Sequence, residues 1–163
     1  MIGISRHTVD LSAYPDLVVI YLGMQVRSFQ GFKVFLQMGP EIDKAVAARP
    51  DGLLRHERLY YSMVPIHVGM RQYWRDFESL EKWTRELPHQ RWWKTFLAAP
   101  RGATFWHETY LIGGGMESMY LNMPDVAVGF KAFGTVVEAR SSMFSARHRL
   151  RRAGQGPASV VAE

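Results

Sequence analysis

The residues best suited to chemistry stand in the string Phe105-Trp106-His107-Glu108-Thr109-Tyr110. Imidazole titrates close to neutrality, so His107 is able to take and return a proton within one turnover. A second histidine, His89, stands eighteen residues earlier. It opens a segment in which His89, Trp92, Trp93 and Phe96 recur at i, i+3, i+4 and i+7, the spacing of one helix face. Two histidines reached from neighbouring elements in an aromatic setting suit chemistry on an apolar small molecule. Arg71, Tyr73, Tyr110, Tyr120 and Asn122 are polar groups that could orient a substrate or activate a phenol. Trp74, Trp83, Trp92, Trp93 and Trp106 could wall a mainly apolar pocket.

Each of these residues also has a purely structural reading. On a strand His107 shares its face with Phe105, Thr109 and Leu111, and a histidine hydrogen-bonded across the sheet would fit the same pattern. Glu108 points the other way with Trp106 and Tyr110, so in a regular strand it does not orient its neighbour. Pairing with an arginine such as Arg71 is the alternative to a catalytic role for Glu108. His89 follows Pro88 near a helix start, where backbone donors disfavour the imidazolium. The neutral ring is the form that ligates haem iron, yet a histidine beside tryptophans is also an ordinary core residue.

These side chains must be positioned by the elements around them. Residues 16–28 read as a first strand, apolar on both faces because Val18, Ile20, Leu22, Met24 and Val26 alternate with Leu17, Val19 and Tyr21. Such a strand is covered on both sides, once by the chain's own helices and once by a second subunit. Residues 30–49 have helical spacing, which Gly39-Pro40 divides into two short helices. Strands follow over 53–62 and 66–75, after which Asp76 caps a helix with Phe77, Leu80, Thr84 and Leu87 on its stripe. Pro88 breaks that helix and 89–98 forms a further segment. Strands at 103–113 and 116–123 flank Gly113-Gly114-Gly115, and 124–152 is ambiguous, with a helix over 141–152 as one reading. The order β-α-β-β-α-β is the ferredoxin-like pattern, an α+β fold with an antiparallel sheet and helices on one face.

Composition bounds the answer. The 163 residues, 47% of them apolar, suffice for one domain with a substantial core. With no cysteine, disulfides and thiolate chemistry drop out, and a cytoplasmic location fits. The first sixteen residues have no continuous apolar run, which speaks against a secretory signal, and no window is long and apolar enough for a membrane span. The net charge of +5 is concentrated beyond Gly134, where Arg140, Arg147, Arg149, Arg151 and Arg152 face Glu138 and Glu163. The body is therefore close to neutral, nucleic acid is not an expected partner, and the basic tail reads as solvated and loose. The expected organisation is an N-terminal extension over 1–16, a domain over 17–133, and a tail over 134–163, helical at first and then disordered. No Walker A, dinucleotide fingerprint, HExxH or Gly-x-Ser-x-Gly elbow occurs, so a Rossmann-bound cofactor and a zinc site are not expected.

The run Tyr73-Trp74-Arg75-Asp76-Phe77-Glu78-Ser79-Leu80-Glu81-Lys82-Trp83, then His89 and Trp93, then Trp106-His107-Glu108-Thr109-Tyr110 and Tyr120-Leu121-Asn122-Met123-Pro124, resembles the family named for a fumagillin-pathway monooxygenase. Leu22-Gly23-Met24 also matches, and the resemblance covers roughly 17–133. It implies a dimeric α/β-barrel of the antibiotic-biosynthesis-monooxygenase type, whose relatives oxidise aromatic or terpenoid molecules, some without any cofactor. Val126-Ala127-Val128-Gly129 departs from the usual glycine-leucine after Asn-Met-Pro, and the basic tail lies outside the pattern. More distantly the chain is similar to haem-dependent aldoxime dehydratases, in which a helix histidine ligates iron and a strand histidine about twenty residues on acts as acid/base. His89 and His107 hold the corresponding places.

Three functions follow as expectations. One is a small monooxygenase with His107 as base, Glu108 and His89 as further catalytic candidates, and Arg71, Tyr73, Trp93, Trp106, Tyr110, Tyr120 and Asn122 around an apolar substrate. The second is a haem enzyme with His89 as axial ligand. The third is a homodimeric binding protein that holds an apolar metabolite without turnover.

Overall fold

The computed structural model describes residues 5–86, 89–92, 94, 102–112, 116, 118, 120–121, 129–144 and 148. The elements run β1 (Arg6–Asp10), β2 (Val18–Val26), α1 (Phe29–Ala47), β3 (Leu53–Met63), β4 (Ile66–Trp74), α2 (Phe77–Thr84), β5 (Ala103–Leu111), β6 (Tyr120–Leu121) and β7 (Thr135–Glu138). Short 3-10 turns cover Gly129–Ala132 and Ser141–Phe144. The chain divides into two compact units, Leu17–Leu111 and Met1–Asp16 together with Ile112–Glu163.

In the first unit the sheet order is β3-β4-β2-β5 with every neighbouring pair antiparallel. With α1 and α2 interleaved, this is the ferredoxin-like α+β arrangement. The register forms transverse rows on the face toward the helices: Leu53-Trp74-Val18-Leu111, His56-Gln72-Ile20-Thr109, Arg58-Met70-Leu22-His107, and Tyr60-Val68-Met24-Phe105. Around the first row Trp74 and Val18, with Leu80, Trp83 and Trp92, build the core, all of them buried. Asp76 starts α2 as expected, its Oδ1 accepting from Ser79 N at 2.7 Å.

α1 begins where Ser28 Oγ accepts from Gly31 N at 3.3 Å. Its first turn is fastened to the entry of β5, because Gly102 O accepts from Arg27 N at 2.9 Å and Ser28 N at 3.1 Å. A Cβ on Gly31 would overlap the Gly102 carbonyl, so this crossing of backbones needs glycine. The expected division at Gly39-Pro40 is corrected: α1 is one helix of 19 residues with Pro40 inside it. Proline removes one ladder bond, but Phe35, Met38, Ile42 and Ala45 keep one apolar stripe across it, and that shared face holds the two halves in register. Only Gly31 and Val34 of α1 are buried, so most of the helix stands off the sheet.

The second unit carries a sheet in the order β6-β1-β7, with β1 antiparallel to both neighbours. Residues read from the sequence as an N-terminal extension and as the start of a tail are thus partners, His7 opposite Glu138 and Asp10 opposite Thr135. Local patterning did not announce either strand because each is short and its partner is more than a hundred residues away. Of the expected helix over 141–152, Ser141–Phe144 is a 3-10 turn; 145–147 and 149–152 lie outside the described residues, as does the rest of the tail.

Candidate active site

The row pattern makes β5 and β3 the two edges of the sheet, with α1 and α2 over the face that holds His107 and His56. Because α1 stands off that face, a cavity of about 720 Å³ lies between them. Its floor is the sheet, with Ile20, Leu22, Met24, Val68, Met70 and Phe105; its roof is α1, with Phe35, Met38 and Ile42. Trp83, Trp92 and His89 close one side, and His107 borders it from β5. A volume of this order is typical of small-molecule sites, as is an apolar lining with few polar groups.

His89 is helical and half-buried, its ring 5.4 Å from Trp83 and 6.1 Å from Trp92 between centroids. Burial pushes its pKa down, a hydrogen bond to the Thr84 backbone works against this, and the charge of His107 adds to the depression. The Thr84 carbonyl takes the proton of one ring nitrogen, so the neutral ring keeps a lone pair on the other. The segment carrying His89 is fastened to α1 by Trp92 Nε1, which donates to Glu41 Oε2 at 2.6 Å. His107 is exposed, as its edge strand allows, and its ring lies 6.0 Å from that of Phe105.

Of the residues singled out in the sequence, His89 and His107 border the same cavity. Glu108, Trp106, Tyr110, Arg71 and Tyr73 do not: the register puts all five on the opposite sheet face. There Glu108 accepts a short hydrogen bond from the Tyr110 hydroxyl, which holds the Tyr110 pKa up. Arg71 pairs with Glu57 at 2.5 Å, not with Glu108, and donates to Tyr21 Oη at 3.0 Å. Burial opposes the Arg71 charge, while the bonds to Tyr21 and Glu57 raise its pKa further. Trp106 Nε1 donates to His67 Nε2 at 3.0 Å, and Tyr61 stacks on His67 at 4.6 Å. Tyr120 belongs to β6 in the other unit, while Trp93 and Asn122 lie outside the described residues.

Sequence reasoning passed over His56, Arg58 and Tyr60, which line the cavity from β3. The register slips between Leu53 and Arg55, so Leu54 is an extra residue and the parity of the strand changes there. Simple alternation from Leu53 would turn His56 to the wrong face. The available signal was the partner strand, where Gln72 is a polar residue amid the apolar side of β4.

A family model described as monooxygenase af470-like matches residues 17–129. Among solved structures, the aldoxime dehydratase OxdRE in complex with butyraldoxime is similar at a TM-score of 0.64 and 20% identity, over 93% of this chain and 44% of that one. A second aldoxime dehydratase aligns at 0.62 and 18%, over 91% of this chain and 43% of its own. The chain thus spans less than half the length of those enzymes. SnoaB from Streptomyces nogalater, a cofactor-independent oxygenase, aligns at a TM-score of 0.43 and 16% identity, over 58% of this chain and 91% of SnoaB. No curated protein matches the chain. Among the described residues, no helix is long and apolar enough to cross a membrane.

Proposed function

The chain belongs to the monooxygenase af470-like family, and on that premise we propose that it is a small oxygenase acting on an apolar aromatic or terpenoid-like metabolite, with His107 as acid/base. The observation that carries this reading is the imidazole of His107 at the border of a large apolar cavity. The substrate lies on Leu22 and Met70 beneath α1, with an acidic C–H or O–H toward β5. His107 takes that proton, and the resulting carbanion or phenolate supplies electrons to dioxygen. Oxidation of a methylene to a carbonyl balances in this way: one oxygen atom enters the product and the other leaves as water. An electron-rich substrate is required, since no other reductant enters. Oxygen uptake with a panel of polycyclic phenols is the test. Uptake by the wild type that falls by about two orders of magnitude or more in His107→Ala supports the base, this being the usual contribution of a positioned acid/base. Unchanged uptake in the variant removes His107 from that role.

A second reading is favoured by the neutral His89 ring, whose one N–H is held by a backbone carbonyl, the outer arrangement common to metal-ligating histidines. Haem, as in the aldoxime dehydratases, would supply an iron centre for redox or dehydration chemistry. His89 would hold the iron, the apolar lining would exclude water, and His107 would hold or move a proton. Addition of haem to the purified protein should then give a Soret band that His89→Ala abolishes. No uptake of haem by the wild type ends this reading without touching the first.

In either case a homodimer is part of the proposal, built through the sheet face that lacks helices.

A further inference from the structure

The cavity holds a third histidine, on the strand farthest from His107. His56 lines it from β3, and its Nδ1 lies 3.2 Å from Gln72 Nε2. Gln72 is fully buried, and its Oε1 accepts from Trp74 Nε1 at 3.2 Å, with Trp74 also fully buried. Indole nitrogen is a donor and never an acceptor, so the amide oxygen must face Trp74. The amide nitrogen then faces His56 and can only donate. Nδ1 of His56 is therefore the acceptor, and in the neutral ring the proton is on Nε2. Burial and the nearby Arg58 both act against a second proton. Nε2 has no protein partner among the described residues. Beside it on the same strand, Arg58 Nη2 is 2.6 Å from Asp43 Oδ1.

We infer that the relay Trp74-Gln72-His56 presents His56 Nε2–H as a fixed hydrogen-bond donor in the cavity, so that the preferred ligand carries a carbonyl or phenolic oxygen at the end remote from His107. This rests on the proposed use of the cavity as a substrate site and adds the substrate class. His56 and His107 sit on opposite edge strands, three strand spacings across and two residues along the register, which is about 16 Å. Between them the floor is Ile20, Leu22 and Met70. The ligand is accordingly long and apolar in its middle, with its acceptor oxygen at the β3 end and its reacting position at the β5 end. A neutral donor suits an oxygen that gains charge when the far end loses a proton, provided the two are conjugated. His56 is a binding residue in this scheme, and Gln72 and Trp74 position it.

Two rod-like probes of equal shape test the inference, para-acetylbiphenyl with a carbonyl and para-isopropylbiphenyl without one. Binding is read by quenching of the cavity tryptophans Trp83 and Trp92. One net hydrogen bond corresponds to about three- to tenfold in Kd, so the wild type should prefer the ketone by that factor. His56→Phe should lose the preference while still binding the hydrocarbon, and His56→Gln, which retains a donor, should recover part of it. Equal binding of both probes by the wild type, or a preference that survives in His56→Phe, overturns the donor role and leaves the substrate site standing. Binding of neither probe overturns the site and the donor role together. Nitrogen NMR of the wild type reads the tautomer without any variant: protonated Nε2 with unprotonated Nδ1 is expected, and the reverse pattern refutes the relay.

Discussion

His56, His89 and His107 border one cavity from three elements, and burial depresses the pKa of the first two below the ordinary histidine value of 6.5. That depression has a consequence for stability. Above the ordinary value both rings are neutral in the folded and unfolded chain alike, so their contribution is complete. As pH falls through that value the unfolded chain takes up protons that the folded chain resists, and stability declines until the folded values are reached. Urea midpoints measured from neutral to mildly acid pH should therefore fall, and the slope should be shallower in His56→Gln and His89→Asn than in the wild type. A midpoint that rises on acidification in the wild type contradicts the assigned neutral rings. The place of His107 on the cavity side of the sheet was legible in the sequence because Phe105, His107 and Thr109 alternate on a regular strand. His56 was not, because a bulge ahead of it breaks the alternation that such reading depends on.

At the scale of elements, the expected β-α-β-β-α-β order stands, because each strand carries alternating residues and Asp76 caps α2. Pro40 misled since a local rule about helix interiors gave way to a continuous apolar face. The strands β1 and β7 escaped because their pairing is with each other across the length of the chain. Two contacts between elements can be tested. On β2 a Cβ at Gly23 would come within 2.7 Å of the Trp106 indole, which lies across the strand from β5. Gly23→Ala must push that ring aside and should destabilise by about 1–3 kcal/mol, the range for overpacking, or a melting temperature lower by roughly 2–12 °C. Biphenyl probes should still bind, since the indole is on the far face from the cavity. The bond from Trp92 to Glu41 fastens the His89 segment to α1. Glu41→Ala should cost about 1–2 kcal/mol and weaken haem or probe binding; unaltered binding with lowered stability would mean that the segment keeps its place without that bond.

For the molecule as a whole, the sheet divides its labour between two faces. The helix-covered face encloses the cavity with His56 and His107, whereas the other gathers Tyr21, Tyr61, His67, Arg71, Trp106 and Tyr110, several of which the sequence alone had suggested as substrate contacts. Their types, aromatic rings with Arg71 and Glu108 among them, read as a pocket in sequence; the parity of the strands sends them away from it. On this face Arg71 pairs with Glu57, Glu108 accepts from Tyr110, and Tyr61 and Tyr110 remain 46% and 49% exposed. Exposed aromatic surface favours association, and with identical chains the simplest closed form is a two-fold dimer in which each such face meets its own copy. Sedimentation should find the wild type at twice the chain mass at micromolar concentration. Tyr61→Asp would set like charges near each other across the two-fold axis, so the variant should sediment as a monomer, with its melting temperature dependent on concentration no longer. The cavity is built within the Leu17–Leu111 unit, so the monomeric variant should retain probe binding. A wild type that is monomeric at every concentration would remove the dimer and leave the cavity chemistry to one chain.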